Sequence, residues 1–358
     1  MERSSTLLKI DTQRFESGMF ECLRGLMIPP KGILAADESL PTIAHRFESV
    51  GMPSSEESRR QYREMLLATR GLEEFISGVI LFDETARQTS ANGTSFIHLL
   101  EKVGIIPGIK VDAGLLPIRS SDTEDVTSGF DGLPERLNEY SQMGLRFAKW
   151  RSVFRIGPGL PSDFAIDANA IGLAQYASSC QGAGLVPIVE SEVLLDGDHS
   201  LADSMRVIIH VLTEVVRRLE QANVRLDLTI VKTGMAARGS TNNVENHESV
   251  GAATARVLSE TLPPAIGGVV FLSGGMSELE ATRNFNEFSQ IASCPWPVSF
   301  SFGRALQNSA LKRWATDPSR FEEARAELLH RARMNSLARM GDWSLPKETT
   351  GEGHARNS

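Results

Sequence analysis

The strongest constraint on this chain is a pattern that recurs along its length. A short, almost continuously apolar run is followed by a polar or glycine-containing turn and then by a longer stretch with helical periodicity. The runs are Gly32–Asp37 (GILAAD), Gly78–Phe82 (GVILF), Ile106–Asp112 (IPGIKVD), Leu145–Arg151 (LRFAKWR), Gly184–Glu190 (GLVPIVE), Leu226–Lys232 (LDLTIVK), Gly267–Ser273 (GGVVFLS) and Pro297–Phe302 (PVSFSF). Strands with one wet face alternate in polarity; near-continuous apolar runs suit parallel strands covered on both faces. Between them, 201–223 places Met205, Ile208, Leu212, Val215 and Leu219 on one helical stripe, and 58–70 and 319–340 read similarly. Eight such units predict a (β/α)8 barrel, the TIM-barrel class of α/β fold, and the span from Asp37 to Arg304 suits its usual ~250 residues. An open doubly wound sheet fits less well, because no GxGxxG follows the first run and no GxxxxGK[ST] occurs. One barrel domain over 1–340, including an N-terminal extension and a long last helix, is expected to precede a mobile tail over 341–358.

A chain of 358 residues buries enough surface to be stable without metal clips or disulfides. Its formal charge of −8 provides no general basic field, which argues against a nucleic-acid partner. Cys22, Cys180 and Cys294 form no CxxC pair and no even set, so a reducing compartment and inert thiols are expected. The opening residues lack a signal-peptide pattern, and no run of ~20 apolar residues points to a membrane. A cytoplasmic protein is the expectation, with a plastid location open if a transit peptide has been removed. The seven histidines form no HxH, HExxH or His–Cys cluster, and Asp196-Gly197-Asp198-His199 lacks the other ligands of a calcium loop, so no metal is expected.

Charge concentrates where the runs end: Asp37, Lys110 with Asp112, Lys149 with Arg151, Glu190 with Glu192, and Lys232. In a barrel these positions ring the carboxyl-end face, where active sites are assembled. Lys232 would emerge from a β-branched strand beside a low-dielectric interior, with Lys149 as a candidate second cation; desolvation and a neighbouring positive charge both lower a lysine pKa. A neutral amine there attacks a carbonyl and forms an iminium, an electron sink for breaking an adjacent C–C bond. Structural pairing of both lysines with Glu190, Glu192 or Asp37 accounts for the same spacing. Glu190 and Glu192 lie two residues apart and share a strand face, placed either for proton transfer or as salt-bridge partners.

Two further turns, Leu272-Ser273-Gly274-Gly275 and Phe302-Gly303-Arg304, lead into helical stretches starting near Met276 and at Ala305. Glycine allows close backbone approach, and a helix N-terminus aims free N–H groups at an anion. Loops after strands seven and eight are a frequent phosphate site in such barrels, and Arg304 adds a bidentate donor. A second anion site would draw on Lys110, Arg151 and Arg46, although Arg46 by itself reads as a surface arginine.

The stretches Lys31–Ser39 (KGILAADES), Gly108–Asp112 (GIKVD), Phe147–Arg151 (FAKWR), Val186–Glu190 (VPIVE), Phe271–Gly275 (FLSGG) and Ser301–Leu306 (SFGRAL) resemble class I fructose-bisphosphate aldolase, in order and spacing, over about residues 15–340. The resemblance implies a (β/α)8 barrel and reversible, metal-independent cleavage of fructose 1,6-bisphosphate to dihydroxyacetone phosphate and glyceraldehyde 3-phosphate. It also implies no cofactor and a homotetramer. Lys232 falls on the family's Schiff-base lysine, Glu190 on its proton-transfer glutamate and Lys149 on its electrostatic lysine. Asp37 falls on the carboxylate that takes the C4-hydroxyl proton, and Glu192 on a second glutamate of that network. Ser273, Gly274, Gly303 and Arg304 correspond to the C1-phosphate site, and Ser39, Arg46, Lys110 and Arg151 to the C6-phosphate side. Two departures from the family pattern stand out: His45 occupies a position where animal members often carry lysine, and the sequence ends Ala355-Arg356-Asn357-Ser358 without a terminal tyrosine. A preference for sedoheptulose 1,7-bisphosphate, a noncatalytic phosphosugar-binding scaffold and a zinc-dependent aldolase are the alternatives.

Overall fold

The period-two pattern of the strands dictates two cores. In a computed structural model that describes residues 16–349 apart from 120, 122, 245–247, 318 and 320, eight parallel strands close into a barrel with helices outside. In chain order the strands are β1 (Gly32–Ala36), β2 (Ile76–Leu81), β3 (Ile106–Lys110), β4 (Phe147–Phe154), β5 (Val186–Val193), β6 (Ile230–Thr233), β7 (Gly268–Phe271) and β8 (Val298–Phe302), each paired with the next and β8 with β1. The helices that bear on the site are α1 (16–26), α2 (Leu40–Glu48), α3 (Glu56–Leu67), α4 (Asp83–Arg87), α5 (Phe96–Lys102), α6 (Leu133–Gln142), α7 (Asp163–Gly182), α8 (Leu201–Gln221), α9 (Val250–Thr261), α10 (Glu278–Ile291), α11 (Arg304–Thr316), α12 (Phe321–Arg339) and α13 (Leu345–Thr349).

Outward residues such as Leu34, Ile109, Trp150, Val189 and Val231 join one large cluster with the helices. Inward residues Ile33, Ala35, Phe147, Val186, Ile188 and Ile230 form a second cluster with Met19, Leu23 and Leu26 of α1, so α1 plugs the amino-end mouth. The inward parity then runs on upward: Ile33 and Ala35 lead to Asp37, Phe147 to Lys149 and Arg151, Val186 and Ile188 to Glu190 and Glu192, and Ile230 to Lys232. The barrel is apolar at its foot and ionic at its head because each strand switches residue type on the same face.

Two expectations are corrected and one element is added. The run from Leu226 starts as a single 3-10 turn over Leu226–Leu228, because Thr229 Oγ1 donates to the Arg225 carbonyl (2.9 Å) and curls the chain; the strand begins at Ile230. An antiparallel hairpin, Gly114–Pro117 with Asp125–Ser128, follows β3 and was not read from the sequence. The segment from Gly341 is anchored as far as it is described: the Trp343 amide donates to Asn286 (3.0 Å), and its indole N–H donates to Glu348 (2.7 Å). Glu348 also takes a bond from the buried Arg331. The rest of the expected tail, 350–358, and the opening residues 1–15 lie outside the described residues.

The amino-end closure depends on one cation. The buried Arg339 guanidinium, at the end of α12, donates to the carbonyls of Met27 (2.6 Å), Ile28 (2.9 Å) and Lys31. These close α1 and open β1, and burial lowers the Arg339 pKa to about 10. Arg339→Met removes three buried hydrogen bonds; the Lys31 carbonyl keeps Ser299 Oγ and the Ile28 carbonyl keeps the Lys31 N–H, while the Met27 carbonyl loses its donor. The variant should cost about 1–3 kcal/mol of stability, read as a lower urea midpoint at an unchanged m-value.

Candidate active site

The inward parity brings four buried ionic groups into one file. Lys149 Nζ lies 2.7 Å from Asp37 Oδ2 and 3.2 Å from Glu190 Oε2, while Lys232 Nζ lies 3.1 Å from Glu190 Oε1. Strand register sets this spacing: Arg151 of β4 sits across from Glu190 of β5, and Glu190 across from Lys232 of β6. All four side chains are over nine-tenths buried by residue, so none of the charges is held by bulk water. Lys149 stands near Lys232 as a second cation, the two sharing Glu190, and it is itself held by two carboxylates.

The carboxyl pKa values follow from this file. Burial pushes the Asp37 carboxyl up, but the Lys149 and Lys232 ammoniums, the hydrogen bond from Lys149 and the more distant Lys110 outweigh it, leaving Asp37 at about 2. Glu190 is also lowered: burial opposes ionisation, Lys149, Lys232 and Arg151 favour it more strongly, and Asp37 works against them. Lys149 is raised, because Asp37, Glu190 and Asp112 together overcome the opposing effect of burial.

Around this file lies a cavity of about 1290 Å³ whose wall includes all thirteen residues singled out from the sequence. Glu192 does not join the lysines; it accepts from Arg151 Nε at 2.5 Å. Gly274 lies against Glu192 so closely that a Cβ there would stand 2.3 Å from Glu192 Oε1, so a side chain would displace the carboxylate that Arg151 holds. The expected pair of open helix N-termini reduces to one. α10 is closed by its own capping box, with Ser277 N–H donating to Glu280 Oε2 (2.9 Å) and Glu280 N–H to Ser277 Oγ (3.2 Å). α11 starts at Arg304 with Gly303 as its N-cap, which has no side chain to cap it, and both residues line the cavity, Arg304 exposed.

On the other flank the cations are matched. Lys110 Nζ binds the Asp112 carbonyl (2.7 Å) and Oδ1 (2.5 Å). Arg46 is not the surface arginine its sequence context suggested. It is buried on α2, paired with Glu38, and reaches Gln307 Oε1 at 3.2 Å and Asn308 Oδ1 at 3.3 Å. His45 is exposed at the cavity rim with Nδ1 3.7 Å from Glu48 Oε2, and Ser39 meets Thr42 at 2.9 Å. Sequence reasoning missed Glu38, Arg63, Tyr62 and Gln307; only Glu38, beside Asp37 in an acidic pair, carried a local signal. Cys22 lies near α1's base, where burial pushes its thiol to about 12. No group of three or more His, Cys, Asp or Glu able to hold a metal occurs among the described residues.

A carboxyl with a lowered pKa contributes its full stability above its ordinary value, here 3.8, and loses it as pH falls toward about 2. Lys149→Met removes the main cation opposing burial. The Asp37 carboxyl should rise by about 1–3 units, and acid unfolding should begin at correspondingly higher pH. Urea midpoints measured through the acid range check this, and superimposable wild-type and variant profiles would contradict it.

The family model described as fructose-bisphosphate aldolase class-I matches residues 19–357. The "probable fructose-bisphosphate aldolase class 1" of Xanthomonas axonopodis pv. citri is 46% identical over 325 residues, covering 90% of this chain and 97% of that protein. The fructose-bisphosphate aldolase of Dictyostelium discoideum is 44% identical over 342 residues, 94% of this chain and 96% of its own. Among solved structures, fructose-bisphosphate aldolase from Plasmodium falciparum, in a complex with TRAP and a small-molecule inhibitor, superposes with a TM-score of 0.90 at 44% identity, covering 92% of this chain and 96% of that one.

Proposed function

This chain belongs to the class-I fructose-bisphosphate aldolase family, and from that premise we propose which of its residues perform the family's reaction. The activity is the reversible cleavage of fructose 1,6-bisphosphate into dihydroxyacetone phosphate and glyceraldehyde 3-phosphate through a lysine Schiff base; the chain is a lyase. The observation that carries the assignment is Glu190 bridging Lys149 and Lys232 through its two oxygens, one to each amine.

Lys232, as a neutral amine, attacks the C2 ketone and gives a carbinolamine. Glu190 Oε1, 3.1 Å from that nitrogen, lies on the path of the protons that must leave nitrogen and reach the departing hydroxyl before water is lost. The resulting iminium draws the C3–C4 electron pair into an enamine while the C4-hydroxyl proton passes to Asp37. A carboxyl at about 2 is a weak base. It suffices because the C4 hydroxyl becomes a protonated aldehyde as the bond breaks, a far stronger acid than an alcohol. Lys149 keeps Asp37 and Glu190 ionised in a dry site, which water does not do there. Departure of the aldehyde leaves the enamine, which takes a proton at C3 and is hydrolysed to the ketone product.

Phosphates at the two ends hold the substrate over Lys232, one against Ser273, Gly274, Gly303 and Arg304, the other among Ser39, Arg46, Lys110 and Arg151. The cavity of about 1290 Å³ has room for a longer ketose, and a preference for sedoheptulose 1,7-bisphosphate is the alternative reading; relative kcat/KM values measure it. A cytoplasmic homotetramer is part of the same proposal. It is supported by the free cysteines and by exposed Phe164 and Ile171 on α7, and sedimentation equilibrium reads the oligomeric state.

Borohydride added with dihydroxyacetone phosphate should inactivate the enzyme and place the reduced adduct on Lys232 by peptide mapping, and activity should persist in excess chelator. Lys232→Ala should lower kcat by at least about 10⁴-fold. An adduct on another lysine, or near-native turnover in Lys232→Ala, would overturn the assignment.

A further inference from the structure

One fully buried amide touches both ends of the cavity without lining it. Gln307 lies in the first turn of α11, three residues beyond Arg304, and its own N–H donates to the Gly303 carbonyl at 3.1 Å. Its Nε2 donates to the Ala35 carbonyl at 2.6 Å, two residues before Asp37. Its Oε1 accepts from Arg46 Nη1 at 3.2 Å and from the Tyr62 hydroxyl at 3.0 Å. The β1–β8 register ends at Leu34 with Phe302, since the chain turns into α11 at Gly303. Gln307 thus supplies the Ala35 carbonyl with a donor beyond the end of that ladder, at 0% exposure.

We propose that Gln307 is a positioning residue that fixes the distance between the two phosphate-binding ends of the site. One end is the N-terminus of α11, with Gly303 and Arg304; the other is Arg46 on α2, and Gln307 is covalently part of the first and hydrogen-bonded to the second. The inference rests on the bisphosphate-cleavage reading above and adds to it a reason for substrate choice. Two phosphates gain from simultaneous binding only when their sites keep a constant separation, so that the second contact forms at high effective concentration. A ketose with a single phosphate at C1 makes no such demand. Glu38 holds Arg46 from the other side and also binds Arg63 at 2.9 Å, so losing Gln307 leaves Arg46 paired but no longer tied to α11 through that amide. Asn308 Oδ1, 3.3 Å from Arg46 Nη2 near the exposed side, is the remaining link.

The test compares kcat/KM for fructose 1,6-bisphosphate and fructose 1-phosphate in wild type, Gln307→Met, Gln307→Glu and Tyr62→Phe. Gln307→Met removes the whole tie. Gln307→Glu keeps the acceptor for Arg46 and Tyr62 but loses the donor to Ala35. Tyr62→Phe removes one partner of Oε1 without altering the cavity wall. In Gln307→Met the preference for the bisphosphate should fall by about tenfold or more, with fructose 1-phosphate changed by no more than about twofold. In Gln307→Glu and Tyr62→Phe it should move the same way by about threefold. Borohydride trapping with dihydroxyacetone phosphate should proceed at the wild-type rate in all three. Equal losses on both substrates, or an unchanged preference, would overturn the proposal. If Gln307→Met does not fold, the other two variants decide by the same criterion. Wild type inactive on the bisphosphate would refute the parent reading, whereas active wild type with an unchanged preference in the variants refutes the coupling alone.

Discussion

The structure turns on one carboxylate shared by two amines inside a barrel. Glu190 lies between Lys149 and Lys232, and Lys149 reaches on to Asp37, so charge alternates in sign along a buried file. Taking any one of these groups out of water costs several kcal/mol, and only its neighbours offset that cost. The four are interdependent for this reason, and deleting one leaves an unbalanced charge where no solvent replaces it. The apolar lower half of the barrel, closed by α1, supplies the dry floor that makes the interactions strong.

The two ends of the cavity differ in how their cations are held. Arg304 is exposed and has no ion-pair partner among the described residues, beside the uncapped start of α11. Arg46 and Lys110 are matched at rest by Glu38 and Asp112, and Arg151 by Glu192. One end therefore offers an uncommitted charge and backbone N–H groups. At the other, an incoming phosphate must compete with carboxylates already in place.

Much of this was legible in the sequence because parity is local. Ile33-x-Ala35-x-Asp37 and Val186-x-Ile188-x-Glu190-x-Glu192 announce which face each charge occupies once the strand is recognised, and the count of runs closes the barrel. What stayed hidden depends on contacts between distant segments. Gln307 is an ordinary polar residue within RALQNSALKRW, and only folding brings it to Ala35, Arg46 and Tyr62. The burial of Arg46 was hidden for a related reason, since two of its three partners, Gln307 and Asn308, come from the other end of the chain, while Glu38 is local. The capping box of α10 was available as Ser277-x-x-Glu280, and it separates a closed helix start from the open one at Gly303.

The most direct measurement of the central claim is the single-turnover rate at which dihydroxyacetone phosphate becomes covalently attached, compared between wild type and Glu190→Gln. Glutamine keeps the shape and a hydrogen-bonding oxygen but neither balances the lysines nor carries the proton. Attachment should slow by about 10²–10⁴-fold while the ligand still binds. Attachment at the wild-type rate would show that the shared carboxylate is no more than a structural partner of the two amines.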